Sequence, residues 1–135
     1  MKLKRIHHID HEVRDLDRAI EQYRKLFDVA IDKQEPLPSR GVLTARFLLS
    51  DTWVVLVQPI RDDSPVKRFL DNHGEGFYHI AYEVDDLPAM VSHLKTQGVK
   101  LMNEMPRKGL EGWNLIDLER DETLGLMTQL VDPNP

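Results

Sequence analysis

Cysteine is absent from the 135 residues, which excludes disulfides and thiolate zinc sites and leaves any metal to His, Asp, Glu or Gln. Excess basic charge is absent too. A net charge of −5 gives no positive footprint for phosphate backbones, so nucleic acid is not an expected partner. No apolar run approaches the roughly 20 residues of a membrane-spanning helix, and MKLKR leads straight into a strand-like segment instead of a signal peptide's apolar region. These absences point to a soluble cytoplasmic protein with no membrane partner. What is present is ordinary globular composition, 41% hydrophobic and 30% charged, in a chain able to bury roughly two thirds of its unfolded surface.

The informative feature is an internal repeat. His8 to Leu16 reads HIDHEVRDL and His79 to Leu87 reads HIAYEVDDL, 71 residues further on, with six of nine positions identical. In each copy the alternating pattern of a strand gives way to helical spacing. Asp15 or Asp17 can cap a first helix carrying Leu16, Ala19, Ile20, Tyr23 and Phe27 on one side. Asp86 precedes Leu87 and Pro88 in the second, and Met90, Val91 and Leu94 form its stripe before Gly98 ends it. A period near 70 residues is too long for a solenoid unit and indicates a duplicated module.

After the first helix, RGVLTARFLLS (40–50) and TWVVLVQP (52–59) predict a hairpin about Asp51, and a polar crossover follows with a short helix over PVKRFLDNHG capped by Ser64. After the second, VKLMNEM (99–105), WNLIDLE (113–119) and GLMTQLV (125–131) predict strands separated by PRKGLEG and RDET. Both halves read strand, helix, strand, strand, strand. The expected class is α+β, one domain of two similar modules of roughly residues 1–66 and 67–135.

The stretches IHHIDHEVRDLDRAIEQY, SPVKRFLDNHGEGFYHIAYEVDDL, GVKLMNEMPRKG and TLGLMTQLVDP resemble the vicinal oxygen chelate superfamily, the glyoxalase and bleomycin-resistance fold, most closely its methylmalonyl-CoA epimerase-like branch. The resemblance covers nearly the whole chain. It implies tandem βαβββ modules forming a curved sheet or incomplete barrel around a cleft, with a divalent metal held by one residue from the first and last strand of each module. Those positions fall on His8, Val55, His79 and Gln129. It also implies a small-molecule substrate and a homodimer.

Strand periodicity gives these positions a physical basis: His8 shares a face with Asp10 and Glu12, and His79 with Ala81 and Glu83, while Ile9, Val13, Ile80 and Val84 turn toward the helices. Asp10, Glu12 and Glu83 are the candidate catalytic carboxylates, near enough along their strands to act as ligand or general base; the alternative is that they only form salt bridges or bind backbone groups. His7, His11, His73 and His93 fall outside the pattern and read as surface or structural groups. Trp53, Phe47, Met102 and Trp113 read as core or pocket wall, and Arg107 and Lys108 as an anion clamp or a solvated loop.

Two positions depart from the family pattern. Val55 cannot coordinate a cation. Gln129 can offer an amide oxygen to a metal but cannot act as a base near neutral pH, and a further base of the epimerases falls near Thr44, so their two-base route is not expected. The expectation is therefore a metalloprotein with a reduced ligand set, His8, His79 and Gln129, binding zinc, nickel, cobalt or manganese. Its chemistry would be that of a lyase or isomerase stabilising an enolate or oxyanion of a small carbonyl, carboxylate or acyl-thioester substrate. The alternative is a metal-free small-molecule binding protein of the bleomycin-resistance kind.

Overall fold

The computed structural model describes residues 2–134. In chain order its elements are β1 (Leu3–Glu12), α1 (Leu16–Phe27), β2 (Lys33–Leu37), β3 (Val42–Leu49), β4 (Thr52–Pro59), α2 (Pro65–His73), β5 (Gly76–Val84), α3 (Leu87–Thr96), β6 (Arg107–Lys108), β7 (Asn114–Asp117) and β8 (Thr128–Asp132). The class is mixed α+β. The chain divides into two compact units, residues 9–78 and the stretch up to His8 together with that from His79 onward, so β1 contributes to both.

In the 9–78 unit, β2, β3 and β4 form an antiparallel ladder with Glu35 opposite Thr44 and Arg46 opposite Val55. The Val13 N–H donates to the Val57 carbonyl at 2.9 Å, which lays the end of β1 along β4. Helix α1 begins where the Asp15 side chain accepts from the Arg18 N–H. Leu16, Ala19, Ile20 and Tyr23 then pack on Val13, Ala45 and Leu56. Because side chains alternate along a strand, covering Val13, Ala45 and Leu56 fixes the opposite face as that of Glu12, Thr44, Arg46, Val55 and Val57.

The other unit is built alike. β5 and β8 are parallel with Ala81 beside Gln129, and β8 pairs antiparallel with β7, setting Gln129 opposite Asp117. Asp86 caps α3 by accepting from the Ala89 N–H, and Leu87, Met90 and Val91 cover Val84, Ile116, Leu118 and Leu130. The face away from α3 therefore carries His79, Glu83, Gln129 and Asp117.

Three segments differ from expectation. Residues 99–105 form no strand: Leu101 bridges to Leu118, with backbone bonds from the Met102 N–H to the Asp117 carbonyl at 2.8 Å and from the Glu119 N–H to the Lys100 carbonyl at 3.3 Å, and beyond these the Asn103 side chain takes over the pairing with β7. Its amide donates to the Leu115 and Met105 carbonyls and accepts from the Asp117 N–H. The strand expected over 125–131 begins only at Thr128, since Leu124 and Gly125 hold φ of 58° and 95° after a short 3-10 turn. β2 supplies the third strand that a βαβββ module requires, but it has no alternating apolar signal to locate it in the sequence; Pro36 and its charged neighbours suit an edge strand.

Candidate metal and active site

Three histidines are buried in one cluster. His7, His8 and His79 are 2%, 4% and 6% exposed. The Nδ1 atoms of His7 and His8 lie 2.8 Å apart, at hydrogen-bond distance, and Nε2 of His8 lies 3.4 Å from Nε2 of His79. Trp113 stacks on the His8 ring at 5.2 Å and meets His7 edge-on at 4.5 Å. Burial, reinforced by the neighbouring His79 and His7, holds the His8 pKa well below its ordinary value, with the Gln129 amide pulling weakly the other way. His8 is thus a neutral imidazole at physiological pH, the state a metal requires.

Gln129 is 4% exposed and stands beside the cluster. Its Nε2 donates to Asp117 Oδ1 at 2.8 Å, while its Oε1 is buried and accepts no hydrogen bond. Asp117 also receives Arg107 through Nε at 2.6 Å and Nη2 at 3.1 Å. Burial raises the Asp117 pKa, but Arg107 outweighs it and keeps the group a carboxylate. Arg107 is therefore committed to Asp117 and is no mobile clamp for a substrate anion; its neighbour Lys108 is exposed.

These residues fit a cation by their chemistry and spacing. Two nitrogens bound to one tetrahedral zinc at about 2.0–2.1 Å lie roughly 3.3–3.4 Å apart, the separation of the two Nε2 atoms. An orphaned buried carbonyl oxygen on Gln129 supplies a further donor.

Along β1, the half-buried Asp10 and the wholly buried Glu12 follow His8 on the same face. Neither Glu12 oxygen has a hydrogen-bond partner, and burial raises its pKa to about 7, with Arg14 opposing. Glu83 is bound differently. Arg5 reaches it at 2.8 Å and Lys4 at 3.3 Å, and although burial raises its pKa these two cations lower it on balance. Val55 is 1% exposed and faces Arg46, which is ion-paired to Glu35 at 2.8 Å and lies over Trp53. Thr44 hydrogen-bonds the Glu35 carbonyl.

Residues 7–116 match the family model described as the glyoxalase/bleomycin resistance protein/dioxygenase superfamily. The chain belongs to this superfamily. It is 31% identical over 130 residues to the mitochondrial methylmalonyl-CoA epimerase of Mus musculus, covering 96% of this chain and 73% of that protein. It is 30% identical to the ethylmalonyl-CoA/methylmalonyl-CoA epimerase of Cereibacter sphaeroides, covering 93% and 96%. Among solved structures, a methylmalonyl-CoA epimerase in complex with methylmalonyl-CoA and NH4+ superposes with a TM-score of 0.89 at 32% identity, covering 96% and 94%. The Mycobacterium tuberculosis methylmalonyl-CoA epimerase does so at 0.92 with 30% identity, covering 98% and 90%. The α+β architecture is that of glyoxalase-like epimerase structures.

Of the residues singled out in this superfamily member's sequence, His8, His79 and Gln129 converge in one unit, and Asp10 and Glu12 extend the face of His8 along β1. His11 instead bonds the Tyr23 hydroxyl at 2.8 Å beside a cleft of about 360 Å³. His73 packs on Phe69, and His93 is exposed. Sequence reasoning missed His7 and the Arg107–Asp117 pair. Asp117 sits in an alternating strand, but only the packing of Ile116 and Leu118 under α3 shows which way it points.

Proposed function

We propose that the chain is a metal-dependent isomerase that moves a proton at the carbon beside a carbonyl, with a small acyl-CoA thioester as substrate class by analogy with the epimerases it resembles. The observation carrying this reading is the buried imidazole pair with Nε2 atoms 3.4 Å apart. His8, His79 and Gln129 would hold a divalent ion, zinc, nickel, cobalt or manganese, all of which accept nitrogen and oxygen donors. The ion supplies Lewis-acid stabilisation of the negative charge that collects on substrate oxygen when the neighbouring proton leaves. Neutral protein ligands leave that positive charge to be met by the substrate.

Glu12 is the general base. A pKa of about 7 makes it both a competent acceptor and a willing donor near neutrality. The substrate C–H bond breaks as its proton passes to the carboxylate; isomerisation is completed when a proton from solvent water reaches the opposite face of the enolate, and Glu12 then gives its proton up to solvent. Asp10 lies between this base and His8 along β1. Glu83, held ionised by Arg5 and Lys4, is a structural group in this scheme, and Trp113 keeps water off the His8 ring.

Val55 favours a second reading, a metal-free binding protein, because an aliphatic side chain stands where the superfamily pattern places a ligand. Metal analysis of protein purified without chelator or affinity tag separates the two. Bound metal in the parent, lost in His8→Ala and His79→Ala, supports the isomerase. Absence of metal, or unchanged content in both variants, favours the binding protein. Deuterium uptake from D2O at the carbon between the carbonyls of methylmalonyl-CoA, read by proton NMR, should require Glu12; uptake undiminished in Glu12→Gln removes Glu12 as base.

A further inference from the structure

Gln129 could present either end of its amide to the imidazole pair, and only the oxygen can bind a cation. Which end faces inward is decided by Asp117. The two residues stand directly opposite on β7 and β8, and an ionised carboxylate accepts but cannot donate. The Gln129 NH2 group must therefore turn toward Asp117, where Nε2 donates to Oδ1 at 2.8 Å. Its oxygen is left facing the other way, buried and without a donor.

Asp117 is itself held on three sides. Arg107 forks onto both carboxylate oxygens at 2.6 and 3.1 Å, and the Asp117 N–H is fixed by Asn103 Oδ1 at 2.7 Å. The carboxylate is 15% exposed and Arg107 22%, so the pair is shielded from solvent and persists as a geometric brace.

We propose that Asp117, braced by Arg107, is a positioning residue that locks the Gln129 amide with its carbonyl oxygen toward the metal donors His8 and His79. The inference rests on the metal reading above and adds a residue that touches neither ion nor substrate. A ligand oriented from behind by a hydrogen bond to its other polar atom gains affinity because it need not be reorganised on binding.

The test is zinc and cobalt(II) affinity by calorimetry, with the cobalt ligand-field spectrum as a second signal. Asp117→Asn has the same shape but can offer its own NH2, so Gln129 is free to flip. Affinity should fall by about 10- to 100-fold. Adding Gln129→Glu to Asp117→Asn should restore it, since a carboxylate presents an oxygen whichever way it turns. Because a carboxylate also binds a cation more strongly than an amide, the comparison is with Gln129→Glu alone: Asp117→Asn costs no affinity in that background if Asp117 acts by orienting Gln129, and costs as much as in the parent if it is merely structural. Equal affinity in parent and Asp117→Asn, or no recovery in the double variant, overturns the proposal while leaving the metal reading intact. A parent that binds neither ion overturns the metal reading itself, and this inference with it. Should Asp117→Asn fail to fold, a crystal structure of the zinc-loaded parent decides: Gln129 nitrogen still on Asp117 with oxygen on zinc supports the inference, and any other orientation rejects it.

Discussion

Glu12 is 0% exposed and neither of its oxygens finds a hydrogen-bond donor, an arrangement that costs stability whenever the group is ionised. Its carboxyl titrates at about 7 in the folded chain, against an ordinary value of 4.5. Between those values the native chain keeps a proton that the unfolded chain has lost, so stability falls as pH rises through this window and levels off above it. Glu12→Gln, which removes the charge but keeps an unpartnered polar group, should be about 3 kcal/mol more stable than the parent at pH 8 and within about 1 kcal/mol of it at pH 5. Urea unfolding at both pH values measures the difference; equal midpoints at pH 8 would contradict the buried-carboxylate account. The sequence places Glu12 on the His8 face by strand period alone, but a period of two cannot say whether that face meets water or protein. His8 and His79 could be read because duplication sets them at matching positions. His7 could not, since its role depends on a ring contact between adjacent residues.

The elements show the same division between what alternation encodes and what packing decides. Helices α1 and α3 announce themselves through their aspartate caps and apolar stripes, and β3, β4 and β5 through β-branched and aromatic residues. The segment 99–105 alternates equally well yet forms no strand, because Met102 and Met105 remain 54% and 78% exposed and the backbone pairing stops at Met102, after which one side-chain amide continues it. Local pattern carries no record of such a substitution. Asn103→Ala would leave the Asp117 N–H and the Leu115 carbonyl without these partners, and should cost about 1–3 kcal/mol. Thermal unfolding is the measurement, with Asn103→Asp as the informative contrast: it keeps the acceptor for Asp117 N–H but loses both donated bonds, and should fall between the parent and Asn103→Ala. If both variants unfold at the parent's temperature, Asn103 is not what holds this segment to β7.

Scaled to the whole molecule, the metal reading becomes a statement about folding. The donors come from β1, β5 and β8, strands far apart in sequence, so the unfolded chain cannot assemble them and any ion they hold binds the native state selectively. Such a ligand stabilises by about 2.7 kcal/mol at a free concentration one hundred times its dissociation constant. For a domain of this size that corresponds to a rise in Tm of roughly 10 °C. The net charge of −5 attracts divalent cations to the surface generally, but that attraction is weak, falls with salt and does not depend on any one imidazole. Zinc added to metal-free protein at 0.15 M salt should therefore raise Tm in the parent and leave it unchanged in His8→Ala and His79→Ala, with manganese giving a smaller shift than zinc. A rise of the same size in all three proteins would locate the effect at the surface, and no rise in the parent would leave the paired imidazoles as a buried polar cluster without an ion, as the binding-protein reading requires.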